Sequence, residues 1–155
     1  MNHKNYMTSV AEIEISKLYQ QFGVVEPSHL NIHHLSEIFN INVYFLETNS
    51  KLILDGDDVF MIIDSRTNQT EQLESFYHEL AHYLLEHRPT DTLPLFEYFE
   101  MKADYLIKYL AIPLHMLKHI DFESDYLVHE IAYQFNISRD LAYKRIENIK
   151  NKLGE

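Results

Sequence analysis

Apolar residues recur at helical spacing near the start of the chain. Over residues 9–22, Ala11, Ile15, Leu18 and Phe22 mark one face, Ser9 and Glu12 supply a capping box, and Gly23 ends the run. A second helix is predicted over 32–39, with Asn31 as its cap, Ile32, Leu35, Ile38 and Phe39 on one face, and Asn40 as a left-handed stop. The period then changes. Residues 41–46, 51–54 and 59–63 are rich in β-branched and aromatic side chains and read as strands. Asp55-Gly56-Asp57-Asp58 between the last two reads as a hairpin turn, because glycine and aspartate tolerate positive φ. The expectation is a small three-stranded antiparallel sheet.

From about residue 70 the pattern is helical throughout. Helices are predicted over 71–87, stopped before Pro89, and 95–110, stopped before Pro113, then over 113–119, 125–135 and 139–152. Asn68 with Glu71, Ser124 and Ser138 are the predicted caps. No linker, repeat or shift in composition divides the sequence. The reading is α+β: one domain over residues 1–155, with the closing helix pair 125–152 packed as part of it.

Composition narrows the function. A chain of 155 residues that is 46% hydrophobic has the apolar mass for a real core. Its formal net charge of −11 opposes general binding to phosphate backbones or anionic lipid. It has no cysteine, which excludes disulfides, thiol catalysis and Cys-type zinc sites and fits a reducing compartment. Met1 to Tyr6 lacks a signal peptide's apolar core, and runs such as Val59 to Ile63 are too short to span a bilayer. The expectation is a cytoplasmic protein without membrane or direct nucleic-acid contact. Ten histidines are the outlier, and they direct the search to metal.

His78-Glu79-Leu80-Ala81-His82 is an H-E-x-x-H sequence inside the predicted 71–87 helix. Histidines four apart lie one turn apart on one face, so both imidazoles reach a single ion. Glu79, next to His78, is placed to act on a water as general base. This composition yields the motif by chance in roughly 0.06 chains, so its surroundings must carry the argument. Leu73, Phe76, Tyr77, Leu80, Ala81, Leu84 and Leu85 supply apolar packing around it. On the next helix, Glu100 and Asp104 stand one turn apart. Glu100 completes a His2Glu zinc site with an open fourth position, and Asp104 accepts the remaining ring N–H of a ligating histidine. Ala103 is small where the two helices must approach.

These two segments, followed by Leu110-Ala111-Ile112-Pro113, resemble the ImmA/IrrE-type metallo-endopeptidases, compact gluzincins of bacteria, phages and other mobile elements. The order of elements and the closing Ile131–Ser138 segment, similar to the family's helix–turn–helix pair, extend the resemblance over roughly residues 28–148. Ala81 and Asp104 stand where the family often has glycine and asparagine. The resemblance implies a zincin-like domain, zinc held by His78, His82 and Glu100, and Glu79 as catalytic base. It also implies a narrow substrate: a helix–turn–helix repressor whose cleavage derepresses a mobile element or stress regulon. An extended substrate segment is expected to add to an edge of the small sheet.

Other features are assigned no chemistry or are left open. His29, His33 and His34 are read as surface histidines with no carboxylate in register, and His87 as facing away from the site. The neutral donor that steadies the oxyanion is one of His115, His119, His129, Tyr98, Tyr105 and Tyr109. Arg139, Lys144, Arg145, Lys150 and Lys152 make the last helix basic, yet Leu141, Ala142, Ile146 and Ile149 mark a packing face, favoured over DNA contact. Two other readings stand beside the peptidase: a non-proteolytic anti-repressor with a structural zinc, and a DNA-binding regulator using residues 125–152.

Overall fold

The computed structural model describes residues 6–86 and 92–154. Their elements, in chain order, are α1 (Val10–Gln21), α2 (Ile32–Ile38), β1 (Asn42–Leu46), β2 (Lys51–Asp55), β3 (Asp58–Asp64), α3 (Gln69–Leu84), α4 (Leu93–Ala111), α5 (Leu127–Phe135) and α6 (Arg139–Leu153). Short 3-10 turns occupy Pro27–His29 and Leu114–His119. The fold is α+β. No helix among the described residues is long and apolar enough to cross a membrane.

Contacts gather into two compact units, one of Asn31–Ile107, the other of Met1–Leu30 with Lys108–Glu155. In the first, Asn31 caps α2 by accepting the His34 N–H at 2.8 Å, and Asn40 takes φ 55° to end it. The sheet corrects the expected antiparallel arrangement. Its order is β1-β3-β2, and β3 pairs antiparallel with β2 but parallel with β1. The turn at Gly56 (φ 61°) makes the hairpin that the sequence signals. No such signal stands between β1 and β2, and residues 47–50 instead pass the end of β3, where the Asp64 N–H donates to Ser50 Oγ at 2.9 Å. A four-residue connection reaches ~13 Å, enough for the ~10 Å that separates strands two places apart. β3 takes the middle because its alternation is the strongest: Val59, Met61 and Ile63 are buried on one face.

α3 packs against that sheet. Asn68 caps it, accepting the Glu71 N–H at 2.9 Å, so the helix begins two residues earlier than predicted. Leu73, Phe76, Tyr77, Leu80 and Ala81 are buried as expected. The helix closes at Leu84, with Glu86 left-handed (φ 57°), and the predicted end at 87 lies outside the described residues.

In the other unit, Ser9 accepts the Glu12 N–H at 3.3 Å, but the reciprocal half of the capping box is not made. Glu12 turns inward instead. Its carboxylate and Arg145 are fully buried and meet at 2.8 Å, with Lys152 3.2 Å from the second oxygen and the Tyr6 hydroxyl donating at 2.8 Å. Arg145 also donates to the Ile112 carbonyl at 3.0 Å and to Asn148 at 2.6 Å, and lies 5.0 Å over the Tyr109 ring. This explains why a basic residue counted for the last helix is not surface charge. Ser138 caps α6, and Leu141, Ala142, Ile146 and Ile149 are buried beside Ile131 and Phe135 of α5. Residues 113–119 make a 3-10 turn after Pro113 rather than an α-helix, and α5 starts at Leu127 because Ser124 accepts from Tyr126 instead of capping a helix.

Burial alone would raise the Glu12 pKa, but Arg145, the Tyr6 hydroxyl and Lys152 outweigh it and hold the carboxyl below its usual range. A depressed folded pKa gives stability that is complete above the ordinary glutamate value and is lost as pH falls through the folded one. Arg145→Ala should therefore destabilise the protein by about 3–5 kcal/mol, leaving a buried carboxylate short of its main partner. Urea melts from pH 7 down to pH 3 check both: the wild type should lose stability in the acid range, and Glu12→Gln should flatten that loss.

Candidate metal centre

α3 and α4 bring the predicted residues together. The His78 and His82 rings meet edge to face, 4.7 Å between centroids, as i,i+4 placement on α3 requires. Their Nε2 atoms are 3.1 Å apart, and each faces one oxygen of Glu100, His78 at 3.0 Å and His82 at 2.9 Å. The donor atoms of the three residues all lie within 4.8 Å of one another, and among the described residues this is the one group able to hold a metal ion. Asp104 stands one turn on, its Oδ1 3.2 Å from His78 Nδ1. Accepting that N–H leaves the Nε2 lone pair of His78 directed at the cluster.

Electrostatics favour the neutral form of His82. Burial, then the charge of His78, lowers the His82 pKa against the opposing pull of Glu100. Two imidazoles and a carboxylate converging on one point fit a zinc-class ion, and three protein ligands leave a position for substrate or water.

Glu79 lies buried at the wall of a cleft of about 1150 Å³. Burial raises its pKa, and Glu100 adds to the rise, while His78 and a backbone N–H from Leu52 pull the other way. The cleft is walled by β2 on one side and by α3 and α4 on the other, with Ser75, Tyr83, Phe96 and Phe99 beside the cluster. β2 is an edge strand. Sequence reasoning missed Tyr83 and Ser75, although both stand one turn from Glu79 on the same helical face. None of the six candidate oxyanion donors is among the residues lining the cleft. Tyr98 and Tyr105 are exposed on α4. His115, His119, His129 and Tyr109 belong to the other unit, where the His115 ring is held between Ser16 Oγ (2.6 Å) and the Val24 carbonyl (2.8 Å).

His29 and His33 make local contacts. His29 Nδ1 accepts the Val25 and Glu26 N–H groups. His33 does have a carboxylate in register, Glu37 at 3.2 Å, an exposed i,i+4 pair. His87 lies outside the described residues.

A two-histidine helix facing a glutamate on the next helix, beside a sheet edge that no described strand covers, is the arrangement of a metallopeptidase. The chain belongs to the peptidase family described as the IrrE N-terminal-like domain, which matches residues 36–147. It is similar to two proteins of Bacillus subtilis (strain 168). One, described as uncharacterized protein YqaB, is 26% identical over 154 residues, which is 97% of this chain and 90% of that protein. The other, phage-like element PBSX protein XkdA, is 23% identical over 153 residues, 96% of this chain and 76% of its own length.

Proposed function

We propose that this protein is a cytoplasmic, zinc-dependent endopeptidase with a zincin-like catalytic fold, held by His78, His82 and Glu100. The observation that carries the reading is the convergence of those three donor sets beside Glu79 in the lining of a cleft along β2. When bound, the ion supplies Lewis acidity, polarising a peptide carbonyl and acidifying water. Glu79 takes the proton from the attacking water and delivers it to the leaving amine. A purely structural site has no need of that carboxylate, which speaks against a non-proteolytic anti-repressor.

The substrate in this reading is a helix–turn–helix repressor of a mobile element. Support comes from the family and from a relative described as part of a phage-like element. The charge of −11 would steer a basic, DNA-binding partner towards the chain, and contact with nucleic acid or membrane has no part in it. Zinc-loaded protein incubated with such a repressor should give one defined cut, and casein should be degraded poorly. Rapid cleavage of casein at many sites, insensitive to salt, would contradict this selectivity.

Asp104 orients His78 in this account and is not a ligand. Its carboxylate is largely exposed, so Asp104→Asn should weaken zinc about tenfold, the low end for such partners. Glu100→Gln should weaken it more, as competition with a chelating dye will show.

A further inference from the structure

We propose that the cleft selects a peptide carrying a bulky apolar side chain, seated against Phe96 and Phe99, when the segment takes its expected place along the β2 edge at Leu52 and Leu54. This rests on the peptidase reading and specifies what that site takes. The pairing follows from register. Asp55 and Asp58 flank a two-residue turn, so Asp55–Asp58, Ile53–Phe60 and Lys51–Ile62 are the pairs that exchange backbone hydrogen bonds. Leu52 and Leu54, between them, direct their N–H and C=O groups away from β3. The Leu52 N–H lies toward Glu79, whose charged form it favours, and among the described residues the Leu52 carbonyl and both Leu54 groups are left for a peptide strand.

The opposite wall is aromatic. Phe96 precedes Glu100 by one helical turn on the same face of α4, so its ring stands beside the metal-binding carboxylate. It lines the cleft and is 50% exposed, apolar surface that a substrate side chain would cover. Phe99 lines the same wall. The cleft's 1150 Å³ exceeds the ~1,000 Å³ upper range of small-molecule pockets and suits several residues of extended chain. An aspartate seated there would lose hydration against phenyl rings with Glu100 one turn away.

The test uses the full chain as zinc-loaded Glu79→Gln, in which glutamine still accepts the Leu52 N–H and no turnover occurs. Capped octapeptides of serine, threonine and glycine, with one central leucine, glycine or aspartate, are titrated by calorimetry. The leucine peptide should bind about tenfold tighter than the other two, or more. Adding Phe96→Ala should bring its affinity down to that of the glycine peptide, and adding Leu95→Ala, an exposed residue outside the lining, should change nothing. Equal affinities, no measurable binding, or an unaffected Phe96→Ala variant would overturn the proposal. Cleavage of a repressor by the wild type is scored separately. Leucine selectivity in a protein that leaves the repressor uncut would sink the peptidase reading alone, and repressor cleavage with equal peptide affinities would sink the apolar subsite alone.

Discussion

Glu79→Gln will abolish peptide hydrolysis while leaving the fold, the zinc and partner binding in place. The glutamine has nearly the same shape and keeps an oxygen for the Leu52 N–H, so the wall of the cleft is preserved. What it loses is the ability to take a proton from water. General acid–base groups contribute about 10²–10⁴-fold to rate, and one residue serving in both directions belongs at the upper end. A fall in kcat of about 10³-fold or more is expected, with zinc content and repressor affinity unchanged. A variant that still cut its substrate at the wild-type rate would remove Glu79 from the chemistry. A variant that lost zinc as well would make it part of the metal site.

His78→Ala and His82→Ala will each take bound zinc from one equivalent per chain to nearly none after dialysis. The cluster has three protein donors, and among the described residues there is no second group to replace one of them. Losing one imidazole leaves two ligands, too few for a closed tetrahedral set with a single open position. The remaining ring and Glu100 would still sit 2.9–3.0 Å apart, so stability should change far less than metal content. Elemental analysis of the single variants and of the double variant measures this. Full zinc in the double variant would place the metal elsewhere in the protein.

The parts of this site that were legible in the sequence are those set by helical spacing. His78 with His82, and Glu100 with Asp104, are each one turn apart, and the distance along the chain fixes their common face. The hairpin of β2 and β3 was legible for the same local reason, from Gly56 and its flanking aspartates. Strand order was not. Whether β1 pairs with β2 or with β3 depends on which strand buries its alternate residues most deeply, a comparison across the sheet that no local signal encodes. Glu12 looked like half of a capping box because its partner, Arg145, lies 133 residues away. Tyr83 lines the cleft through its i+4 relation to Glu79, a spacing that the sequence contains but that residue type alone does not mark as chemical. The edge that receives Glu79 is a backbone feature of Leu52, invisible in residue type.

The most direct measurement of the central claim is intact-mass spectrometry of a helix–turn–helix repressor after incubation with the zinc-loaded protein in water enriched in heavy oxygen. The account predicts one pair of fragments, with a single heavy oxygen at the new carboxyl terminus. Neither Glu79→Gln nor the chelator-treated protein should produce them. A repressor that binds the protein and remains uncut across its whole length would contradict the account and make the chain an anti-repressor that acts by binding alone.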